Sequence, residues 1–552
     1  MQSTLEREKV IPKFDEEPLI SFVVPIYDIK PETLKRCLLS LNDQDYENLE
    51  IIAVLDGPNS ELEKVCKSLI YDKKFKLIEI EHGGACKARN EGFKNSKGEI
   101  VSFFNSDYIA KPGMARSWVD TLVKNKDYGF AYGGYEYATS QRQWYPSKDF
   151  DPWLLNVANY IDCGFPLWRK YVVDWDENCK SLQDWDFWIR VIKTHNIKGY
   201  FLGREISYLA EPPRPKGLSM DSSANWIQRV NYIKEKNGLE KRDILVTSLG
   251  AANHAIEIAK LIGADFRDDT IYKPSEYKAL YMIGFYMRPT DAVNEHPKIL
   301  AHFPKTMKKI VHFVGADIYW LRKFPFESLR YLSGALNLSV DHILCENEQA
   351  QKELLEYGIK SEIVPIPSYS DFEVRALPSE FRIATLLTNK SDFDKYCYEK
   401  TLAIIRAMPD VKFASYGDGD SDVQYPNLKR YGQLSRPDYE KFVYEQSALI
   451  RLVRHDTLPM SSTEFMMAGR RVISNIPNEC TNYIDTKGNS ALNEWDIFGE
   501  GLNAYNWPAT KKKIVQEIRK IKKITEPVII NNINKRFSKE KYISTIKGLC
   551  NV

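Results

Sequence analysis

Between Ile20 and Asp107 short apolar runs alternate with stretches of helical periodicity, and the last run ends on a polar cluster, Asn105-Ser106-Asp107. The runs are ISFVVPIY (20–27), LEIIAVLDG (49–57), FKLIEI (75–80) and IVSFF (100–104). Helices are predicted near Pro31 to Gln44, Ser60 to Ile70 and Cys86 to Ser96. This alternation predicts an α/β unit with a mostly parallel sheet and helices on both faces. Open sheets of that kind bind ligands at the carboxyl edge of their strands. A strand ending in a carboxylate there is how such a sheet presents a metal ligand.

Composition narrows the classes. At 552 residues the chain is too long for one core, and about 150 residues per domain predicts three or four. The 77 basic and 75 acidic side chains leave a formal net charge of +2, so no global field draws the chain to nucleic acid. Basic runs at Lys511 to Lys513 and Arg519 to Lys523 read as a solvated helix face, with a peripheral membrane contact as the sharper alternative. The nine cysteines are scattered without a CxxC pair, which predicts reduced thiols and a cytoplasmic setting. The charged N-terminal stretch has no apolar core of a signal peptide. No run approaches the ~18 apolar residues of a spanning helix.

The pattern breaks between Gly203 and Asp243, at EPPRPKGLSMDSS. A second alternating series opens at Ile244 to Gly250 and runs through IVHFVGAD, DHILCEN and SEIVPIPS to a Pro-marked stretch near Pro365 to Pro378. A third begins at FRIATLLTN and continues through VKFASYGDG, SALIRLV and RRVISNIP. The expected division is a tail over 1–18, a first domain over 19–238, and two Rossmann-like domains over 239–372 and 373–552.

Several motifs in the first domain stand in one order. They are Pro25-Ile26-Tyr27 ending the first strand, Asp56 ending the second, Ala88-Arg89-Asn90-x-Gly92 opening a helix, Asn105-Ser106-Asp107, and Gln183-Asp184-Trp185-Asp186 before an aromatic-rich helix. Over roughly residues 19 to 236 the chain thus resembles a family 2, GT-A-fold glycosyltransferase. The resemblance implies a nucleotide-sugar donor, UDP-linked, and a divalent metal, Mn or Mg. The nucleotide would lie against Pro25, Tyr27, Asp56, Arg89, Asn105 and Asp107, with Asp56 bonding the base and Asp107 holding the metal. Asn105 replaces the first acid of the family's Asp-x-Asp motif, which removes one negative charge. The resemblance gives Asp184 the role of base on the acceptor hydroxyl, and an inverting displacement needs only one carboxylate there. Trp185 and Asp186 are expected on the acceptor side. From the residues alone, Asp56-Gly57 also suits a plain turn, and Asp184 also suits a helix cap. Arg214 and Ser219 lie where family members often carry a basic or His residue closing over the diphosphate.

In the C-terminal half Arg451 to Pro477 resembles the donor-site signature of family 4, GT-B-fold glycosyltransferases. Its two acids, eight apart, are Asp456 and Glu464; Gly250 opens a glycine-containing acceptor-side loop. The family's Gly-Arg pair that clamps the donor diphosphate has no counterpart, and only Lys390 and Lys395 stand near its place. Without an arginine fork a metal-independent transferase loses its main leaving-group stabiliser. This half is therefore read as either a second transferase or a module that binds acceptor glycan or mediates assembly. The expected acceptor is a glycan or glycolipid. Two other readings stay open: a carbohydrate-binding scaffold without turnover, and a transferase acting on modified nucleobases in DNA.

Overall fold

The computed structural model describes residues 17–69, 74–137, 144–145, 150–211, 225–249, 252–267, 277–285, 300, 303–321, 324–387, 397–417, 424–432, 434–453, 456–457, 459–475, 482–483, 507–528 and 537–552. The chain divides into two compact units between Lys241 and Arg242.

The first unit is built on strands β1 (Ile20–Ile26), β2 (Leu49–Asp56), β3 (Phe75–Ile80), β4 (Ile100–Phe103), β5 (Tyr108–Ala110), β6 (Phe130–Tyr137), β7 (Trp144–Tyr145), β8 (Leu167–Trp168) and β9 (Gly199–Ala210). Its helices include α1 (Pro31–Asn42), α2 (Ser60–Lys67), α3 (Ala85–Lys94), α4 (Met114–Lys124), α5 (Pro152–Val157), α6 (Gln183–His195) and α7 (Trp226–Lys236). The strands form one nine-stranded sheet in the order β3-β2-β1-β4-β8-β6-β9-β5, with β7 on β6.

The sheet is mixed, where the sequence predicted a mostly parallel one. Strands β3, β2, β1 and β4 run parallel. Beyond them β8 is antiparallel to β4, and β5 is antiparallel to β9. Strands β6 and β9 are again parallel, with α5 and α6 in the crossover that parallel neighbours require, so the antiparallel contacts are those made by β8, β7 and β5. Every residue of β1 is buried, hence its unbroken apolar run. Pro25 is tolerated in this central strand because β4 stops pairing at Val23↔Phe103, where no further ladder bond from β1 is needed.

Helix α3 lies close on β1 and β2. A Cβ built at Gly92 would stand 2.3 Å from Val23 Cγ1 and 3.0 Å from Val54 Cγ2. Gly92→Ala is therefore expected to overpack this layer and cost about 1–3 kcal/mol. A lowered denaturant midpoint for the first unit, at unchanged m-value, checks it.

The second unit contains two sheets. The first joins β10 (Ile244–Leu249), β11 (Asp265–Phe266), β12 (Ala279–Phe285), β13 (Lys308–Phe313), β14 (His342–Cys345) and β15 (Glu362–Ile363) in the order β11-β10-β12-β13-β14-β15. The second joins β16 (Arg382–Leu386), β17 (Lys412–Tyr416), β18 (Leu428–Arg430), β19 (Ala448–Arg451), β20 (Arg471–Ser474) and β21 (Asn482–Tyr483) in the order β18-β17-β16-β19-β20-β21. All the pairings in both are parallel. The strand order reverses between β10 and β12 and again between β16 and β19, the kind of crevice where doubly wound sheets take ligands. The C-terminal helix Lys539–Cys550 returns to the first of these sheets: the buried Tyr542 and Tyr281 hydroxyls bond each other at 2.7 Å, and Tyr281 bonds His312 Nδ1 at 2.6 Å. Among the described residues, no helix is long and apolar enough to cross a membrane.

Candidate active site

The parallel register brings the ends of β1, β2 and β4 to one edge, since Ile26 pairs with Leu55 and Val23 with Phe103. A cavity of about 370 Å³ opens there, lined by Ile26, Tyr27, Asp28, Leu55, Asp56, Gly57, Pro58, Asn59, Leu62 and His82. Its polar anchor is Asp56, only 2% exposed. One carboxylate oxygen accepts the Gly83 N–H at 2.7 Å; the other accepts the Gly84 N–H at 2.9 Å and lies 3.1 Å from His82 Nδ1. Gly84 can present its N–H this way because it takes φ +91°, which a side chain would resist. Tyr27 stacks on the His82 ring with centroids 4.2 Å apart.

From this edge a chain of contacts runs to the start of α6. Arg89, in the first turns of α3, is 5% exposed rather than a surface arginine. Its guanidinium donates to Asn105 Oδ1 at 3.0 Å and to Gln183 Oε1 at 2.8 Å, and it lies 4.4 Å over the Trp175 ring. Asn105 also accepts from the Cys163 thiol at 3.7 Å. The Asn105 carbonyl is thus turned toward Arg89 and Cys163. Asp107, two residues on, is partly exposed in the turn between β4 and β5. No three His, Cys, Asp or Glu side chains among the described residues converge in a group that could hold a metal.

Asp184 follows Leu182, which holds the left-handed conformation (φ 55°), a strained state for a branched residue that surrounding packing must enforce. Its carboxylate accepts from its neighbour's backbone, the Trp185 N–H, at 3.0 Å and from Asn159 Nδ2 at 2.8 Å. Burial, with the nearby Asp162 carboxylate adding to it, pushes the Asp184 carboxyl up to about 6, against the pull of the Trp185 and Asn159 bonds and of Arg89. Asp162 is itself fixed by the Tyr108 and Tyr208 hydroxyls at 2.8 and 2.7 Å and by the Gly164 N–H at 2.7 Å.

Two expected acceptor residues are placed otherwise. Trp185 is fully buried and its indole N–H bonds the Leu155 carbonyl. Asp186, 1% exposed, is filled by Arg190 at 2.8 Å, Lys236 at 2.9 Å and Asn237 at 3.0 Å. Helical periodicity explains the error, because residues next to an edge carboxylate turn inward. Asn159, Asp162 and His82 were not singled out from sequence; a small-residue turn after Asn159-Tyr160-Ile161 was the visible signal for the first two. Arg214 and Ser219 lie outside the described residues.

Residues 21–193 match the family model described as glycosyl transferase family 2. This stretch is similar to family 2 glycosyltransferases. The family is one of sugar-transferring enzymes. The chain is 31% identical over 198 residues to an uncharacterized glycosyltransferase of Rickettsia felis, covering 33% of this chain and 32% of that protein. It is 35% identical over 122 residues to glycosyltransferase GlyG of Streptococcus pneumoniae, covering 21% and 39%. The chain thus spans about a third of the length of these relatives. Among solved structures it is similar to a mannosyltransferase of Pyrobaculum calidifontis in complex with GDP-Man and Mn2+, at TM-score 0.32 and 14% identity over 43% of this chain and 69% of that one. The matched residues end before α7, and the second unit lies outside them.

In that second unit Glu464 is 2% exposed and accepts from Arg436 at 2.5 Å and from Ser368 at 3.1 Å. Burial pushes its carboxyl up, and Arg436 opposes the shift. Asp456 accepts from Arg451 at 3.1 Å and from the Thr457 N–H at 3.0 Å. Arg436, which also donates to Ser370 at 2.7 Å, was not singled out from sequence. Gly250, Lys390 and Lys395 lie outside the described residues.

Proposed function

We propose that this chain is a glycosyltransferase that moves a sugar from a nucleotide-linked donor, UDP first among them, to a hydroxyl of a glycan or glycolipid. The observation carrying the reading is the Asp184 carboxyl, set at about 6 at the start of α6 and tied through Gln183, Arg89 and Asn105 to the strand edge that holds the cavity. A general base works best with a pKa near the operating pH. Asp184 takes the acceptor hydroxyl's proton as that oxygen bonds the anomeric carbon. The bond from that carbon to the diphosphate breaks, the nucleoside diphosphate leaves with the electron pair, and configuration inverts.

Asp107 is the carboxylate we assign to a divalent ion, Mn2+ or Mg2+. A nucleotide-bound ion of this type takes one or two carboxylates and completes its shell with phosphate and water oxygens, so a single partly exposed Asp suits it. When bound, the ion would neutralise charge on the diphosphate. Asn105 is assigned a different part, because its carbonyl already serves Arg89.

The second unit's two parallel sheets support a GT-B-like reading. Within it Glu464 is bonded internally by Arg436 and Ser368. That commitment favours an acceptor-binding or assembly module over a second transferase.

A screen of nucleotide sugars by thermal unfolding, with and without Mn2+, tests the activity. The true donor at a hundredfold excess over its Kd is expected to stabilise the protein by about 2.7 kcal/mol, and its hydrolysis should be measurable. If no donor shifts unfolding and none is hydrolysed, the scaffold reading replaces this one.

A further inference from the structure

We propose that His82, held by Asp56 in one tautomer, is the residue that selects the nucleobase, and that it selects bases whose ring carries an N–H. This rests on the donor reading above. Asp56 is the obvious candidate for that task, yet its carboxylate is already engaged by the Gly83 N–H, the Gly84 N–H and His82. The Asn59 side-chain oxygen is likewise taken, accepting the N–H groups of Glu61 and Leu62 at 3.2 and 3.1 Å. His82 lines the same cavity with its side chain 53% exposed.

The tautomer follows from the partner. An ionised carboxylate only accepts, so the imidazole nitrogen facing Asp56 carries the hydrogen: His82 Nδ1–H donates to Asp56 Oδ2. In the neutral ring the other nitrogen is then a bare acceptor. Nε2 has no hydrogen-bond partner among the described residues, and it lies across the ring from the buried carboxylate. The ring is also fixed in orientation: it stacks on Tyr27 at 16° between planes, and His82 Cβ rests 3.2 Å from where a Cβ on Gly57 would be. A side chain at Gly57 would crowd His82 Cβ, which would have to give by a few tenths of an ångström.

A fixed acceptor beside an aromatic wall reads one feature of a flat heterocycle, a ring N–H at its edge. Uracil and guanine carry one there; cytosine and adenine present a ring nitrogen lone pair instead, which would face the Nε2 lone pair. The shared chemistry is thus an imide- or lactam-type N–H.

Titration calorimetry of the full chain with Mn2+ and UDP, GDP, CDP or ADP tests this. UDP or GDP is expected to bind about 10- to 100-fold tighter than CDP and ADP, because a site built around a hydrogen bond penalises ligands that leave it unpaired. The better of the two identifies the base. Methylating its ring nitrogen, as N3-methyl-UDP or N1-methyl-GDP, should abolish the advantage on the unaltered protein. His82→Phe keeps a flat ring on Tyr27 but removes the acceptor, and should bind all four nucleotides alike. An N-methyl base that binds like its parent, or a Phe variant that keeps the original preference, would overturn the assignment. Nucleotide binding without such discrimination sinks His82 alone, whereas binding of no nucleoside diphosphate removes the donor reading and this proposal together.

Discussion

Asp184→Asn is expected to abolish nearly all transfer while leaving donor binding intact. A positioned base contributes about 10²–10⁴-fold, and the amide cannot take the hydroxyl proton. The direction of the pH dependence follows from the carboxyl's displacement to about 6, above an ordinary aspartate near ~3.9. The competent, ionised form disappears as pH falls through about 6, so kcat/KM should drop on that limb in the unaltered protein and lose the limb in the variant. At neutral pH the variant should be no less stable, because the ionised form is the one burial disfavours. Loss of donor affinity in place of turnover would show that Asp184 serves the nucleotide or the fold.

Asp107→Ala is the second large effect. Removing the carboxylate assigned to the ion should lower donor turnover by about 10²-fold or more, the scale for losing one group that stabilises developing charge. The fold should persist, since the turn's link to the end of β9 uses the Asp107 backbone carbonyl, which accepts the Glu211 N–H at 3.1 Å. Mn2+ titration of donor hydrolysis, with unfolding midpoints alongside, measures both. Wild-type turnover at saturating Mn2+ would refute the assignment. Asn105→Asp makes the contrast: the new carboxylate would meet Arg89, 3.0 Å from the present Asn105 oxygen, so metal dependence should not change.

How far the site was legible follows from the distance over which each feature is determined. Pro25, Asp56 and Asn105 fall at strand ends because their apolar runs stop there, a local signal. Arg89 was readable as a helix residue, but its burial depends on Gln183, 94 positions away. Asn159 and Asp162 acquire meaning only when β5 meets β9, pairing Tyr108 with Ala210 across the sheet and setting both tyrosine hydroxyls on one carboxylate. In that half of the sheet the crossover from β6 to its parallel neighbour β9 is long, and β5 joins β9 antiparallel, so neither pairing is announced locally. His82 was hidden for another reason: a histidine after a strand says nothing until the carboxylate beside it is known.

The Asp186 cluster sets how short a working piece of this protein can be. The family match stops at residue 193, yet the buried Asp186 carboxylate draws two of its three side-chain donors, Lys236 and Asn237, from the far end of α7. A polypeptide ended at the family boundary would leave the buried Asp186 carboxylate with Arg190 alone, and removing one partner of a buried pair costs about 3–5 kcal/mol. Wherever this domain is excised or grafted, the piece therefore has to reach past Asn237.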